Sequence, residues 1–351
     1  MKNVMVTGGA GFIGSNFIIY MLKKHSDIMI LNVDKLTYAG NLENLKSVEN
    51  DPRYFFSQTD ICDAEAIDSL MSEYRIDTLI NFAAETHVDR SLSDPGIFAR
   101  TNVMGTLTLL NAARKAWEQP DGSYPEGVRY HQVSTDEVYG SLGPEGFFTE
   151  DTPLNPHSPY SASKASADMF VQAYHDTYGM PVTITRCSNN YGPFQFPEKL
   201  IPLMINNCLN HRKLPIYGDG MNVRDWLYVD DHCKAIDMVV RDGASGEVYN
   251  IGGHNERTNV FIVNTIIEDI SKRDSSVTTD LIEHVADRKG HDKRYGIDPQ
   301  KVKDALGWYP ETAFEDGIVR TIDWYLDNGD WMKNVVSGEY EKYYSKQYGN
   351  R

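Results

Sequence analysis

Two short stretches carry the side chains best suited to moving protons. In Ser158-Pro159-Tyr160-Ser161-Ala162-Ser163-Lys164 a phenol and an ammonium lie four residues apart. Serine followed by proline opens a helix, with Ser158 as N-cap and Pro159 at the first helical position. The four-residue spacing then raises Tyr160 and Lys164 from one helix face. Free tyrosine has a pKa of about 10, and a Lys⁺ about 5 Å away across an effective dielectric of about 20 favours the phenolate by roughly 3 kcal/mol, or about two units. The pair is therefore a base that works closer to neutrality. The second stretch, Ser134-Thr135-Asp136-Glu137, sets a hydroxyl beside two carboxylates. Desolvation of one acid beside another raises its pKa, so one member becomes a proton donor while the other stays a base. Tyr20 and Lys24 repeat the tyrosine–lysine spacing inside the first helix, where it reads as the wet end of an amphipathic surface. What separates the two pairs is the surrounding chain.

That chain alternates strands and helices. Residues 3–6 are apolar, and Thr7-Gly8-Gly9-Ala10-Gly11-Phe12-Ile13-Gly14 follows at once. A helix begins near Phe12, with Phe17, Ile18, Met21 and Leu22 as its apolar face. The next strand, 28–33, ends at Asp34. Gly8, Gly11 and Gly14 give a tight turn, close approach of backbone to a pyrophosphate, and close helix-on-strand packing. Placed between strand and helix, with an acid twenty residues past Gly14, the triplet predicts dinucleotide binding. A carboxylate at Asp34 accepts from ribose hydroxyls and repels a 2′-phosphate, which favours NAD over NADP.

Strands are expected at 54–57, 78–82, 128–134 and 182–185, and helices at 64–74, 97–117 and from Ser158 onward. A further strand is expected at 249–253, with helices at 259–271 and 314–326. The fold class is α/β, a Rossmann-like doubly wound parallel sheet with a smaller α/β substrate domain interleaved in sequence. The expected division is 1–191 with 228–258 for the dinucleotide, and 192–227 with 259–351 for the substrate. Ligands in such sheets sit beyond the carboxyl ends of the strands. Gly8 to Gly14, Asp34, Asp60, residues 83–87, 134–137 and 188–191 all fall there.

Composition narrows the class. The chain has 351 residues, 41% hydrophobic and 24% charged, and a formal charge of −16. That charge argues against general nucleic-acid binding, which demands a basic face. No apolar run is long enough for a membrane span and no signal segment is apparent, so a cytoplasmic protein is expected. Cys62, Cys187, Cys208 and Cys233 lie far apart without metal-ligand spacing, as reduced thiols would. No metal is expected.

With these residues in place, the chain resembles the extended short-chain dehydrogenases/reductases acting on nucleotide sugars, and among them the dTDP-glucose 4,6-dehydratases. The resemblance rests on Thr7 to Gly14 with Tyr160 and Lys164, and on Asp34-Lys35-Leu36-Thr37-Tyr38-Ala39-Gly40-Asn41-Leu42. It extends through Ser134-Thr135-Asp136-Glu137-Val138-Tyr139-Gly140, Ser188-Asn189-Asn190-Tyr191-Gly192-Pro193, Arg224-Asp225-Trp226-Leu227-Tyr228-Val229 and Gly290-His291-Asp292-Lys293-Arg294-Tyr295. The resemblance implies oxidation at C4 by NAD⁺, loss of water across C5–C6, and hydride return to C6, on a route to deoxysugars such as rhamnose. In it Tyr160 takes the C4 hydroxyl proton, Lys164 keeps Tyr160 basic, Thr135 bonds the C4 oxygen, Glu137 is the C5 base and Asp136 the acid for the C6 hydroxyl.

It further implies that Gly8, Gly11, Phe12, Ile13, Gly14, Asp34, Lys35, Leu36, Thr37, Asp60, Ile61, Ala83, Ala84, Thr101, Tyr160, Lys164 and Asn190 line the cofactor. His87, Thr135, Asn189, Lys199, Leu200, Pro215, Tyr217, Arg224, Asn259, Arg288 and His291 would line the nucleotide-sugar site. Arg224 suits this physically, because a guanidinium fork matches a diphosphate. Where the family has Asp-Arg-Pro-Gly-His, this chain has Asp287-Arg288-Lys289-Gly290-His291. A homodimer through the helices of 97–117 and 158–178 is also implied. The alternatives are a 4-epimerase, which the Asp136-Glu137 pair opposes, a GDP-mannose-type dehydratase, whose usual NADP Asp34 disfavours, and a non-catalytic NAD-binding protein.

Overall fold

The computed structural model describes residues 1–287 and 291–336. The first half runs β1 (Asn3–Thr7), α1 (Phe12–Lys24), β2 (Met29–Asp34), β3 (Tyr54–Gln58), α2 (Ala64–Glu73), β4 (Thr78–Asn81), α3 (Val88–Ser93), α4 (Pro95–Phe98), α5 (Thr106–Trp117), β5 (Arg129–Thr135), α6 (Pro159–Tyr178) and β6 (Val182–Cys187). It continues as β7 (Asn189–Tyr191), α7 (Leu200–Leu209), β8 (Leu214–Tyr217), β9 (Val223–Tyr228), α8 (Val229–Asp242), β10 (Val248–Ile251), β11 (Glu256–Thr258), α9 (Asn259–Ser271), β12 (Ile282–Val285), α10 (Gln300–Leu306), α11 (Phe314–Asp327) and α12 (Gly329–Val335).

Strands β1, β2 and β4 are buried on both sides, because both faces of their sheet are covered. Val4 and Val6 pack with Phe17 and Ile18 of α1 and Ile236 of α8. Met5, between them, packs the other way with Ile67 of α2 and Leu109 of α5. The seven strands lie in the order β10-β6-β5-β4-β1-β2-β3, every pair parallel. This is the expected doubly wound sheet, whose strand order reverses between β1 and β4. A separate cluster, with Tyr191, Met204, Trp226, Ile262, Phe314 and Met332, forms beside it. Two small sheets, β11-β9-β7 and β12-β8, accompany that cluster.

Local chemistry sets the helix that carries the expected base. Ser158 caps α6, its hydroxyl accepting from the Ser161 N–H while Ser161 bonds back to the Ser158 N–H, and Pro159 takes the first position. Gly179 closes it with φ +65°. The helix expected over 97–117 differs: α4 and α5 are joined by a π-helical segment, Ala99–Gly105. The wider turn sets Asn102 so that its amide accepts from the Glu85 N–H and donates to the Glu85 carbonyl and Ser163 Oγ. One buried side chain thus ties the end of β4 to α6. Segments of this kind recur at functional sites, and Thr101 lies in this one.

Gly8 shows how tightly the first turn is built. It has φ +70°, and a Cβ there would lie 2.6 Å from the Ala83 nitrogen. Gly122, with φ +81°, would meet nothing within 4 Å. Gly8→Ala should cost about 3 kcal/mol or more and Gly122→Ala only about 1–2 kcal/mol, since the first adds a backbone clash to the left-handed strain. Urea midpoints of the cofactor-free variants measure the difference.

Candidate active site

A cleft of about 310 Å³ opens at the carboxyl ends of the sheet, over the switch between β1 and β4. Its floor is the first glycine turn. The Gly8 N–H donates to the Val33 carbonyl, and the Gly11 N–H to that of Gly8. Gly11 heads α1 without any side-chain cap, and a Cβ there would meet only the Gly8 oxygen at 3.2 Å. The first N–H groups of α1 therefore face a space that a side chain would fill. Asp34, at the end of β2, accepts from the Ala10 N–H at 2.9 Å and the Leu36 N–H at 2.8 Å. Burial raises its pKa, and the two N–H groups offset part of that. Lys35 pairs with Asp60 at 2.6 Å.

Sixteen of the seventeen residues expected around the cofactor line this cleft; Leu36, held at φ +55°, does not. Thr135, Glu137, Asn189 and Lys199 line it too. Ser134 Oγ, Asn189 Oδ1 and Gln195 Oε1 are buried in its wall without a protein partner. An uncapped helix start, a carboxylate one strand over and orphaned polar atoms at the far end fit an extended polar dinucleotide.

At that far end burial governs the titratable groups. Thr135 ends β5, and its hydroxyl accepts from the Glu137 N–H at 3.3 Å and lies 3.2 Å from Asp136 Oδ1. Asp136 is 2% exposed, with Oδ2 unpartnered, and sits behind the wall rather than on the cleft surface. Burial holds its carboxyl well above the usual range, reinforced by the carboxylates of Glu137 and Asp225 and opposed by Arg224. Tyr160 is likewise held well above the ordinary tyrosine range, first by burial and then by Glu137. Lys164 does not reach the phenol as the spacing alone predicts: its ammonium donates to the Val133 carbonyl at 2.7 Å, and burial lowers its pKa. On the outer surface Lys24 does bond Tyr20, at 2.6 Å, and Asp237 beside them takes the lysine charge at 3.3 Å. Cys187, also in the cleft, is a buried thiol pushed up to about 12 and is chemically quiet.

Of the residues expected around the nucleotide sugar, Thr135, Asn189 and Lys199 line the cleft, while His87, Leu200, Pro215, Tyr217, Arg224, Asn259 and His291 do not. His87 precedes α3 and is buried; two residues on, Asp89 accepts from Tyr217 at 3.2 Å. Tyr217 lies edge-on to His291, which bonds Asp287 at 2.6 Å. Lys199 donates to the Thr86 carbonyl at 3.0 Å, and Leu200 begins α7. Pro215 pairs with Glu283 in the β8–β12 ladder, and Asn259 begins α9. Arg224 stacks on Tyr295 at 4.2 Å while donating to the carbonyls of Val223 and Asp292. Its neighbour Asp225 does not pair with it in these bonds but accepts the N–H groups of Gly253 and Asn255. Arg288 and Lys289 lie outside the described residues.

Several lining residues escaped the sequence reading. Phe196 and Glu198 face the cleft. Tyr38 donates to Glu198 at 3.0 Å, packs edge-on to Phe196 and lies under the Arg90 guanidinium at 3.6 Å, while Arg90 reaches Glu198 at 3.3 Å. The signal was an acid and two aromatics in the loop between β7 and α7.

This sheet and cleft define an extended short-chain dehydrogenase/reductase. The family described as GDP-mannose 4,6 dehydratase matches residues 5–321. The chain is 51% identical over 347 residues to a dTDP-glucose 4,6-dehydratase of Neisseria meningitidis, covering 97% of this chain and 98% of that one. It is 49% identical to dTDP-glucose 4,6-dehydratase 1 of Escherichia coli, covering 99% of each. The crystal structure of dTDP-glucose 4,6-dehydratase from Bacillus anthracis in complex with NAD superposes with a TM-score of 0.86, at 50% identity over 95% of this chain and all of that one. A UDP-glucose 4-epimerase from Thermotoga maritima gives a TM-score of 0.82 but only 29% identity, over 93% of this chain and 99% of that one. The chain belongs to the dTDP-glucose 4,6-dehydratases.

Asp136 makes a stability prediction with a definite sign. The fold favours its protonated form, so its contribution is full below the ordinary value of about 3.9 and is lost as pH rises through the raised one, at up to about 1.4 kcal/mol per pH unit. Asp136→Asn should therefore gain on wild type steadily as pH rises above about 4. Thermal melts from acid to mildly alkaline pH measure this; a constant offset would mean that the folded protein ionises Asp136 normally.

Proposed function

We propose that the chain converts dTDP-glucose to dTDP-4-dehydro-6-deoxy-glucose with NAD, acting as a hydro-lyase. The observation that carries the reading is the Thr135-Asp136-Glu137 end of β5, with Thr135 and Glu137 in the same cleft wall as Tyr160 and Asp136 buried in a proton-holding environment. Relatives at about half identity along nearly the whole chain bear the same activity in their names.

Bound NAD⁺ supplies hydride acceptance from C4 and, once reduced, hydride return to C6. Tyr160 takes the proton of the C4 hydroxyl, with Thr135 bonding the same oxygen. In the ligand-free protein the phenol keeps its proton, because burial and Glu137 oppose phenolate. The buried Lys164 ammonium and a cationic nicotinamide ring both favour the phenolate. Once C4 is a ketone the C5 hydrogen is acidic; Glu137 removes it and Asp136 protonates the departing C6 hydroxyl. Asp136 suits the donor role because burial favours its protonated form.

The two bodies divide this work as 1–191 with 228–258 for NAD, and 192–227 with 259–351 for the nucleotide sugar. His87, Asn189, Lys199, Leu200, Pro215, Tyr217, Arg224, Asn259, Arg288 and His291 hold the sugar nucleotide. The product feeds deoxysugar synthesis of the rhamnose type. Four unpaired thiols suit a reducing cytoplasm. Among the described residues no helix is long and apolar enough to cross a membrane. The enzyme works as a homodimer through its α4–α6 side, where Ile97, Met104, Met169 and Phe170 are exposed.

Incubation with dTDP-glucose in D₂O should give a 4-keto-6-deoxy sugar with deuterium at C5, read by NMR. Glu137→Gln and Tyr160→Phe should each lose on the order of 10²–10⁴ in turnover. A sugar returned with C4 inverted and no label would sink the reading in favour of an epimerase. Met104→Glu with Met169→Glu should sediment as a monomer where the wild type sediments as a dimer.

A further inference from the structure

Asn190 lines the cleft from the middle of β7 and is buried. Two neighbours of opposite chemistry fix its amide. Nδ2 donates to the Ser188 carbonyl at 3.0 Å; a carbonyl only accepts, so the nitrogen belongs on that side. Oδ1 therefore faces Nδ1 of His232, 2.9 Å away. An amide oxygen also only accepts, so this ring nitrogen must carry the proton. The other ring nitrogen, Nε2, is buried without a partner and is left bare. His232 belongs to α8 and has no exposed surface. Burial pushes its pKa down to about 3, so the ring stays neutral at any working pH and its tautomer does not change.

The consequence reaches the cleft. One amide N–H of Asn190 is spent on Ser188, and the other is left on the side of the Cys187 thiol, which lines the same wall. Held at one end only, the amide would swing about its Cβ bond and leave a buried oxygen unpaired. Held at both ends, the amide keeps a fixed plane within the cleft wall.

We propose that His232 is a positioning residue for the dinucleotide, acting through Nδ1–H to fix the Asn190 amide with an N–H presented to the cofactor. This rests on the reading that Asn190 contacts the cofactor. His232 itself touches neither cofactor nor substrate, since Asn190 stands between them.

The test is NAD⁺ affinity of the stripped protein by calorimetry. His232→Ala should weaken NAD⁺ binding about ten-fold, the scale of one lost buried hydrogen bond. His232→Gln should do the same, because its amide nitrogen extends to the Nε2 position. His232→Asn places a donor where Nδ1 was and should recover most of the loss. The KM for the sugar nucleotide should stay constant across the series. On an Asn190→Ala background, His232→Ala should add nothing. An Asn variant as weak as the Ala variant, or losses that add across the two sites, would overturn the proposal. If Asn190→Ala binds NAD⁺ normally, the contact reading fails; if only the His232 variants bind normally, the positioning role fails. Ring ¹⁵N shifts of the wild type give a check needing no variant: Nδ1 should be protonated and Nε2 bare from pH 6 to 9, and the opposite tautomer would overturn the assignment.

Discussion

The carboxylate of Asp34 holds two turns at once, accepting from Ala10 in the glycine turn and from Leu36 just beyond its own strand. The first of these turns lies at the switch point, where strand order reverses and neighbouring connections run to opposite faces. With the turn pinned, Gly8 comes so close to Ala83 that a methyl group would collide, and α1 starts with its open N–H groups toward the cleft. The cost is a buried acid whose charge is partly penalised. The rest of the cleft depends on that arrangement, because the ends of β4, β5 and β6 are set relative to β1 by parallel ladder bonds.

At the opposite end of the cleft one force acts with different signs on different groups. Burial lifts Asp136 and Tyr160 and lowers Lys164, so each is driven toward its neutral form. Contrast Tyr20 and Lys24, with the same spacing on the outer surface: there the ammonium bonds the phenol and an acid, and nothing reactive results. Identical spacing yields different chemistry because solvent is present in one place and excluded in the other.

Much of this was legible in residue order. The glycine turn, Asp34, the capped start of α6 and the alternation of strand and helix all follow from local rules, since each depends on neighbours a few residues away. What was not legible depends on distant chain. The 97–117 helix widens because Asn102 must reach Glu85 and Ser163. Lys164, on α6, turns to Val133 on β5. The Tyr38–Glu198–Arg90 group joins two loops to α3, and its members carry no spacing signal. Asp136 was expected on the cleft surface with Glu137, yet consecutive residues after a strand end point to different sides.

The interleaving of the two bodies also governs how the chain is made. The large sheet is finished only when β10, at residues 248–251, pairs with β6. The second core joins Leu203 and Trp226 to Phe314 and Met332, from 88 to 129 residues further on. At ordinary synthesis rates that gap takes on the order of ten seconds. During it Ile201, Met204, Ile205 and Trp226 have left the ribosome without the helices that cover them, an apolar surface open to chaperones and to other nascent chains.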